Sequence, residues 1–109
     1  MPKFPVLKMA RGLNQVFQPV EITDIDDQYH AFIVRYSGDY IMHAHDRDEM
    51  VYILEGSLVI EIDGKEEEVR QGEAFLIPAG SPHRPRCRNM ALGFVVETRG
   101  LQKQMEPTV

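Results

Sequence analysis

Residues 49–70, EMVYILEGSLVIEIDGKEEEVR, hold the pattern on which the fold turns. Leu58, Ile60 and Ile62 alternate with Val59, Glu61 and Asp63, the period-two signature of a strand with one buried face. Asp63-Gly64 comes next, and glycine accepts the positive φ that a tight hairpin needs, so Lys65–Arg70 is expected to return as a second strand. Its Glu66-Glu67-Glu68 run reads as a solvated edge. Upstream, Met50–Leu54 is continuously apolar and is expected to stop at Glu55-Gly56.

The same grammar extends in both directions. Ala31–Tyr36 is β-branched and aromatic, with Ser37-Gly38-Asp39 ending it, and Ile41–His45 leads into a charged turn at Asp46-Arg47-Asp48. Gln71-Gly72-Glu73 turns the chain into Ala74–Ile77, and Pro78-Ala79-Gly80-Ser81-Pro82 forms a rigid turn cluster. A last strand is expected over Ala91–Glu97, after a breaker at Asn89. Between Phe32 and Glu97 no segment sustains a helical period. Short strands with regular turns in a small chain predict an all-β sandwich or closed barrel. Val6–Phe17 carries weak helical spacing at Val6, Ala10, Leu13 and Phe17. Gly100–Val109 is polar and reads as a tail, or as an arm on a neighbour.

With 109 residues the expectation is a single domain. Twelve Lys and Arg against 17 Asp and Glu give a net charge of -5, which argues against binding nucleic acid through its phosphates or docking on an anionic membrane. No apolar stretch approaches the roughly 20 residues of a membrane span, and Met1–Arg11 has no run long enough for a signal-peptide core. The one cysteine, Cys87, cannot form an internal disulfide. A cytoplasmic protein is the expectation.

The chemistry gathers around histidines. His43 and His45 are two apart in a strand, so they project to one side while Met42 and Ala44 point away. Glu49 lies beyond the charged turn, and a tight hairpin there returns it to the same side. Two neutral imidazoles and a carboxylate are a ligand set for a first-row transition metal. His83, just after the second rigid turn, is a candidate fourth ligand.

These residues resemble the cupin family. The first cupin motif, G-x5-H-x-H-x3,4-E-x6-G, is matched by Gly38, His43, His45, Glu49 and Gly56, with Gly38 one residue too close to His43. The second, G-x5-P-x-G-x2-H-x3-N, is matched by Gly72, Pro78, Gly80 and His83, with Cys87 in place of the final Asn. The resemblance implies a double-stranded β-helix, a jelly-roll cupin barrel over residues 31–99, preceded by an N-terminal segment (1–30) that packs on the barrel or on a partner subunit and followed by a C-terminal tail (100–109). It also implies one divalent metal (Fe, Mn, Ni, Co, Cu or Zn) held by His43, His45, Glu49 and His83, with affinity falling in mild acid as the imidazoles protonate.

If the strand after Pro82 is regular, His83, Pro85 and Cys87 share its inner face, while Arg84, Arg86 and Arg88 form an outer stripe. Cys87 then reads as a small buried residue. Val51 and Ile53 share Glu49's side, which makes the pocket largely apolar, and Tyr36, Tyr40 and Tyr52 are packing residues that could place a hydroxyl there. His30 reads as structural or exposed. Ala74–Ile77 and Leu92–Val96 are apolar on both faces, so an outer cover is needed, and a homodimer supplies it most simply. The function implied is a metal-dependent enzyme on a small chelating molecule, of dioxygenase, isomerase or lyase type. The alternative is a non-catalytic module that binds a small molecule or sugar.

Overall fold

The structure, a computed structural model, describes residues 2–101 and 103–105. One helix, α1 (Val6–Arg11), precedes β1 (Val20–Ile25), β2 (Tyr29–Asp39), β3 (His43–His45), β4 (Glu49–Ile62), β5 (Lys65–Arg70), β6 (Ala74–Ile77), β7 (His83–Thr98) and β8 (Lys103–Met105). The part of the expected tail at 102 and 106–109 lies outside the described residues; 103–105 pair as a strand with β3.

The long strand β7 is the spine. Along one side it pairs with β2, from Tyr29↔Thr98 to Asp39↔Arg86, and then with β3 at His43↔His83. Along its other side it pairs with β4, from Glu49↔Glu97 to Ile62↔His83. Pairing among the named strands is antiparallel throughout.

Two expected breaks are bulges instead. Strand β4 runs through Glu55-Gly56, with register shifts against β7 on either side of that pair. Gly56 has φ +82°, and a Cβ on it would lie 2.2 Å from the Met90 carbonyl oxygen, so glycine permits the two backbones to approach. Strand β7 likewise continues through Asn89, whose carbonyl accepts from the Ser37 hydroxyl at 2.8 Å.

The expected closed barrel, double-stranded β-helix or jelly roll, is corrected by the strand pairing. The path runs β1-β2-β7-β3-β8, with β4 joined to β7 and carrying β5 and β6. Among the described residues its end strands β1 and β8 are not paired to each other, so the eight-stranded sheet does not close on itself and is not strongly curled. The free edges are of the kind that stay in water: Lys65–Glu68 of β5 is exposed and charged, and β1 carries Glu21 and Asp24. Where an all-β chain was expected, the fold is mostly β, with helix α1 beside the strands.

Two apolar clusters hold the sheet. The first joins Val34 and Tyr36 to Val51, Ile53, Leu58 and Ile60 and to Val95, on the face that also carries the histidines. Each such fully buried aliphatic side chain contributes roughly 1.5–3 kcal/mol. The second, under α1, joins Ala10 to Ile33 and Leu92. The helix ends at Gly12, whose N–H donates to the Met9 carbonyl, and Val6, Ala10 and Leu13 form its apolar stripe. The stripe ends there: Phe17 has φ +57° and packs against Tyr36 and Tyr40 instead. Among the described residues no helix is long and apolar enough to cross a membrane.

Candidate metal centre

Three strand positions bring three imidazoles together. His43 and His45 project from the same side of β3, and His83 opens β7 directly opposite His43. All three are buried, at 5%, 5% and 1% exposure. Their ring centroids lie 4.4 Å (His43–His83), 4.8 Å (His43–His45) and 5.0 Å (His45–His83) apart. One nitrogen from each lies within 4.8 Å of the others.

Hydrogen bonding fixes which nitrogen is offered. His43 Nδ1 lies 2.9 Å from the Ile41 carbonyl, and His83 Nδ1 lies 2.9 Å from the Ser81 carbonyl. A carbonyl oxygen can only accept, so both Nδ1 atoms donate, and in a neutral ring each Nε2 then offers its lone pair. Backbone-anchored neutral imidazoles of this kind are suited to hold a metal. The donor set therefore fits a single divalent transition metal.

Glu49, the first residue of β4, arrives beside His45, with Oε2 3.6 Å from His45 Nδ1. It belongs to a second group with His45 and Glu97 rather than to the three-histidine group. Glu97 is a site residue that the sequence reading missed. The available signal was its parity with buried Val95, two positions earlier in β7.

The histidines, Glu49 and Glu97 open onto a cavity of about 190 Å³ sized for a small organic molecule. Phe17, Phe32, Val34, Leu58, Ile60 and Val95 supply much of its apolar wall. Tyr40 meets His43 edge-on at 5.3 Å. Burial, reinforced by the charges of Glu49 and Glu97, pushes the Tyr36 hydroxyl well above the usual tyrosine range, so it stays protonated and can donate.

The flanking residues fall as their parity predicts. His83, Pro85 and Cys87 are buried, while Arg84 and Arg86 turn outward to Glu61, Glu66 and Asp39. Arg84 and Arg86 thus form an ion-pair ladder on the outer face. His30, expected to be structural or exposed, bridges two carboxylates: Nδ1 is 2.6 Å from Glu21 and Nε2 is 2.9 Å from Glu97.

An apolar cavity and three clustered imidazoles on a mostly β sheet define a candidate metal centre. Residues 32–96 match the cupin domain family, and the chain belongs to that family. It is 38% identical over 68 residues to 3-hydroxyanthranilate 3,4-dioxygenase of Bos taurus, a match that covers 59% of this chain and 24% of that one. The chain thus spans about a quarter of the length of those dioxygenases. Along nearly its whole length it is similar to the uncharacterized protein YdbB of Bacillus subtilis, with 30% identity over 106 residues, covering 95% of this chain and 89% of that one. The crystal structure of a cupin-2 domain containing protein from Shewanella frigidimarina superposes with a TM-score of 0.83 at 27% identity, covering 88% and 94% of the two chains.

Proposed function

We propose that this chain is a metal-dependent cupin enzyme that acts on a small organic molecule at one divalent transition metal, with His43, His45, Glu49 and His83 as ligands. The observation that carries the reading is the trio of buried imidazoles, two of them with Nδ1 committed to a backbone carbonyl. Glu49 completes the set from beside His45. A divalent metal bound there supplies Lewis-acid polarisation or redox chemistry with O₂.

The chain's own residues do the rest. The apolar wall excludes water and packs the body of the substrate, while the Tyr36 hydroxyl is kept as a donor. Similarity to 3-hydroxyanthranilate 3,4-dioxygenases supports dioxygenase chemistry ahead of isomerase or lyase chemistry, and with Phe17 and Phe32 in the wall it supports a small aromatic substrate. We further propose a homodimer, supported by the exposed apolar side chains of Met50, Tyr52 and Leu76 on β4 and β6. A cytoplasmic setting without nucleic acid is supported by the single cysteine and the net charge of -5. We divide the chain into an N-terminal segment (1–30), whose helix packs on the sheet and whose β1 extends it, the cupin domain (31–99) and a tail from 100.

The test is elemental analysis of untagged protein purified without added metal, beside a His43→Ala/His45→Ala double variant. Near-stoichiometric transition metal that disappears in the variant is the expected result. Absence of metal from the wild-type protein, even after reconstitution, overturns the reading.

A further inference from the structure

One row of the sheet carries three ionisable residues on three adjacent strands. Glu97 of β7 is paired with His30 of β2 on one side and with Glu49 of β4 on the other. Like charges directly opposite each other across a ladder are destabilising. The side chain of Glu97 is only 12% exposed, and its carboxylate comes within 4.8 Å of the Glu49 carboxylate and a His45 nitrogen. Packing alone gives no reason to keep this row.

His30 offsets the repulsion and fixes the geometry. With each ring nitrogen on an oxygen of an ionised carboxylate, the ring satisfies both bonds only when doubly protonated. Its anchor on the far side is Glu21, on β1. On the near side His30 holds Oε1 of Glu97, and a carboxylate has acceptor capacity beyond that one bond. Glu97 also lines the cavity, within reach of a molecule packed against Val95 and Phe32. A carboxylate fixed at the edge of an apolar cavity selects a ligand with a hydrogen to donate.

We propose that Glu97 binds and orients the cavity's small molecule by accepting a hydrogen bond from its N–H or O–H group, and that His30 is the positioning residue that holds Glu97 in place. The substrate class is then an apolar-bodied molecule with at least one amine or hydroxyl donor. This rests on the reading of the cavity as a metal-dependent site and deepens it.

The test uses the full chain loaded with zinc, titrated with phenol, aniline and toluene as ligands of matched size, and with zinc content measured for every variant. A hydrogen bond to a charged acceptor makes the wild type prefer phenol and aniline to toluene by about tenfold. In Glu97→Leu that preference falls to about twofold or less while toluene binding and zinc content persist, and Glu97→Gln is intermediate because its amide oxygen still accepts. His30→Phe lowers the preference without changing toluene affinity, and His30→Gln, which can still donate to Glu97, restores part of it. A merely structural role for His30 would change all three affinities together.

Unchanged preference in Glu97→Leu, or no preference in the wild type, overturns the proposal. Loss of zinc in Glu97→Leu also overturns it, by making Glu97 a metal ligand. A wild type that binds no zinc defeats the metal reading instead, and the phenol-to-toluene ratio still decides the role of Glu97.

Discussion

The Gly80 N–H donates to the His45 carbonyl at 2.7 Å, tying the turn before His83 to the strand that carries the other two histidines. A second bond backs it: the Ala79 N–H donates to Asp48 Oδ1 at 2.8 Å. Gly80 adopts φ +80°, which the turn needs to present that N–H. The two loops that deliver the imidazoles are therefore stapled together before any metal arrives.

Asp48→Ala removes one staple without touching an imidazole. Partners that orient metal ligands typically matter by 10–100-fold in affinity, so zinc affinity is expected to fall by about tenfold. Stability falls by only about 1 kcal/mol, because the bond is exposed. Competition with a chromogenic chelator measures the first quantity and urea unfolding the second. Unchanged affinity would show that the turn keeps its shape without Asp48.

Gly56 and Gly64 separate crowding from backbone strain. Both have positive φ, but a Cβ at Gly64 meets nothing within 4 Å, whereas at Gly56 it meets the Met90 carbonyl oxygen at 2.2 Å. Gly64→Ala is expected to cost about 1–2 kcal/mol from conformation alone. Gly56→Ala is expected to cost more than about 4 kcal/mol, because β4 and β7 must also separate. Urea denaturation of the two variants side by side reads the difference, and equal losses would mean the bulge relaxes freely.

What the sequence disclosed follows the range of the interactions involved. The alternation of Leu58, Ile60 and Ile62 and the turn at Asp63-Gly64 are local, and both appear as read. His43 and His45 share a side by strand geometry, and Gly80 and Pro78 mark the turn before His83. Glu55-Gly56 and Asn89 have the local chemistry of breaks, but pairing with a distant strand carries β4 and β7 through them as bulges. The closed barrel failed for the same reason, since closure depends on which distant edges pair. His30 and Glu97, 67 positions apart, meet only because β2 and β7 are neighbours in the sheet.

Leu92 is 1% exposed and packs with Ala10 of α1 and Ile33 of β2, in the cluster separate from the one beside the cavity. Leu92→Ala is expected to cost about 2–5 kcal/mol, as for other large-to-small changes in a core. Metal stoichiometry of the folded variant stays unchanged. Equilibrium unfolding and elemental analysis check both parts, and a loss of metal at native stability would contradict the separation of the two clusters.

Cys87 takes the position where the second cupin motif has asparagine, and it is 2% exposed. Burial raises its thiol pKa, which keeps the thiolate scarce at neutral pH. The folded protein is expected to react with a thiol reagent only as fast as it unfolds, while Cys87→Ala keeps its metal. Rapid labelling of native protein would place the thiol in contact with solvent.

His30 gives stability a pH dependence of known sign. Burial works against its charged form and is the largest single effect, but hydrogen bonds to Glu21 and Glu97, with their charges, together outweigh it and raise its pKa above the ordinary 6.5. A group whose pKa is raised by folding contributes stability that is fully present below its unfolded pKa and is lost as pH rises through the folded one. The groups facing the ring are Glu21 from β1 and Glu97 from β7, and both must be ionised for the effect. In metal-free protein, His30→Gln is therefore expected to destabilise more at about pH 6 than at about pH 9. Urea unfolding of both proteins at the two pH values reads the difference; an equal loss at both would mean that the ring contributes through packing and not through its charge.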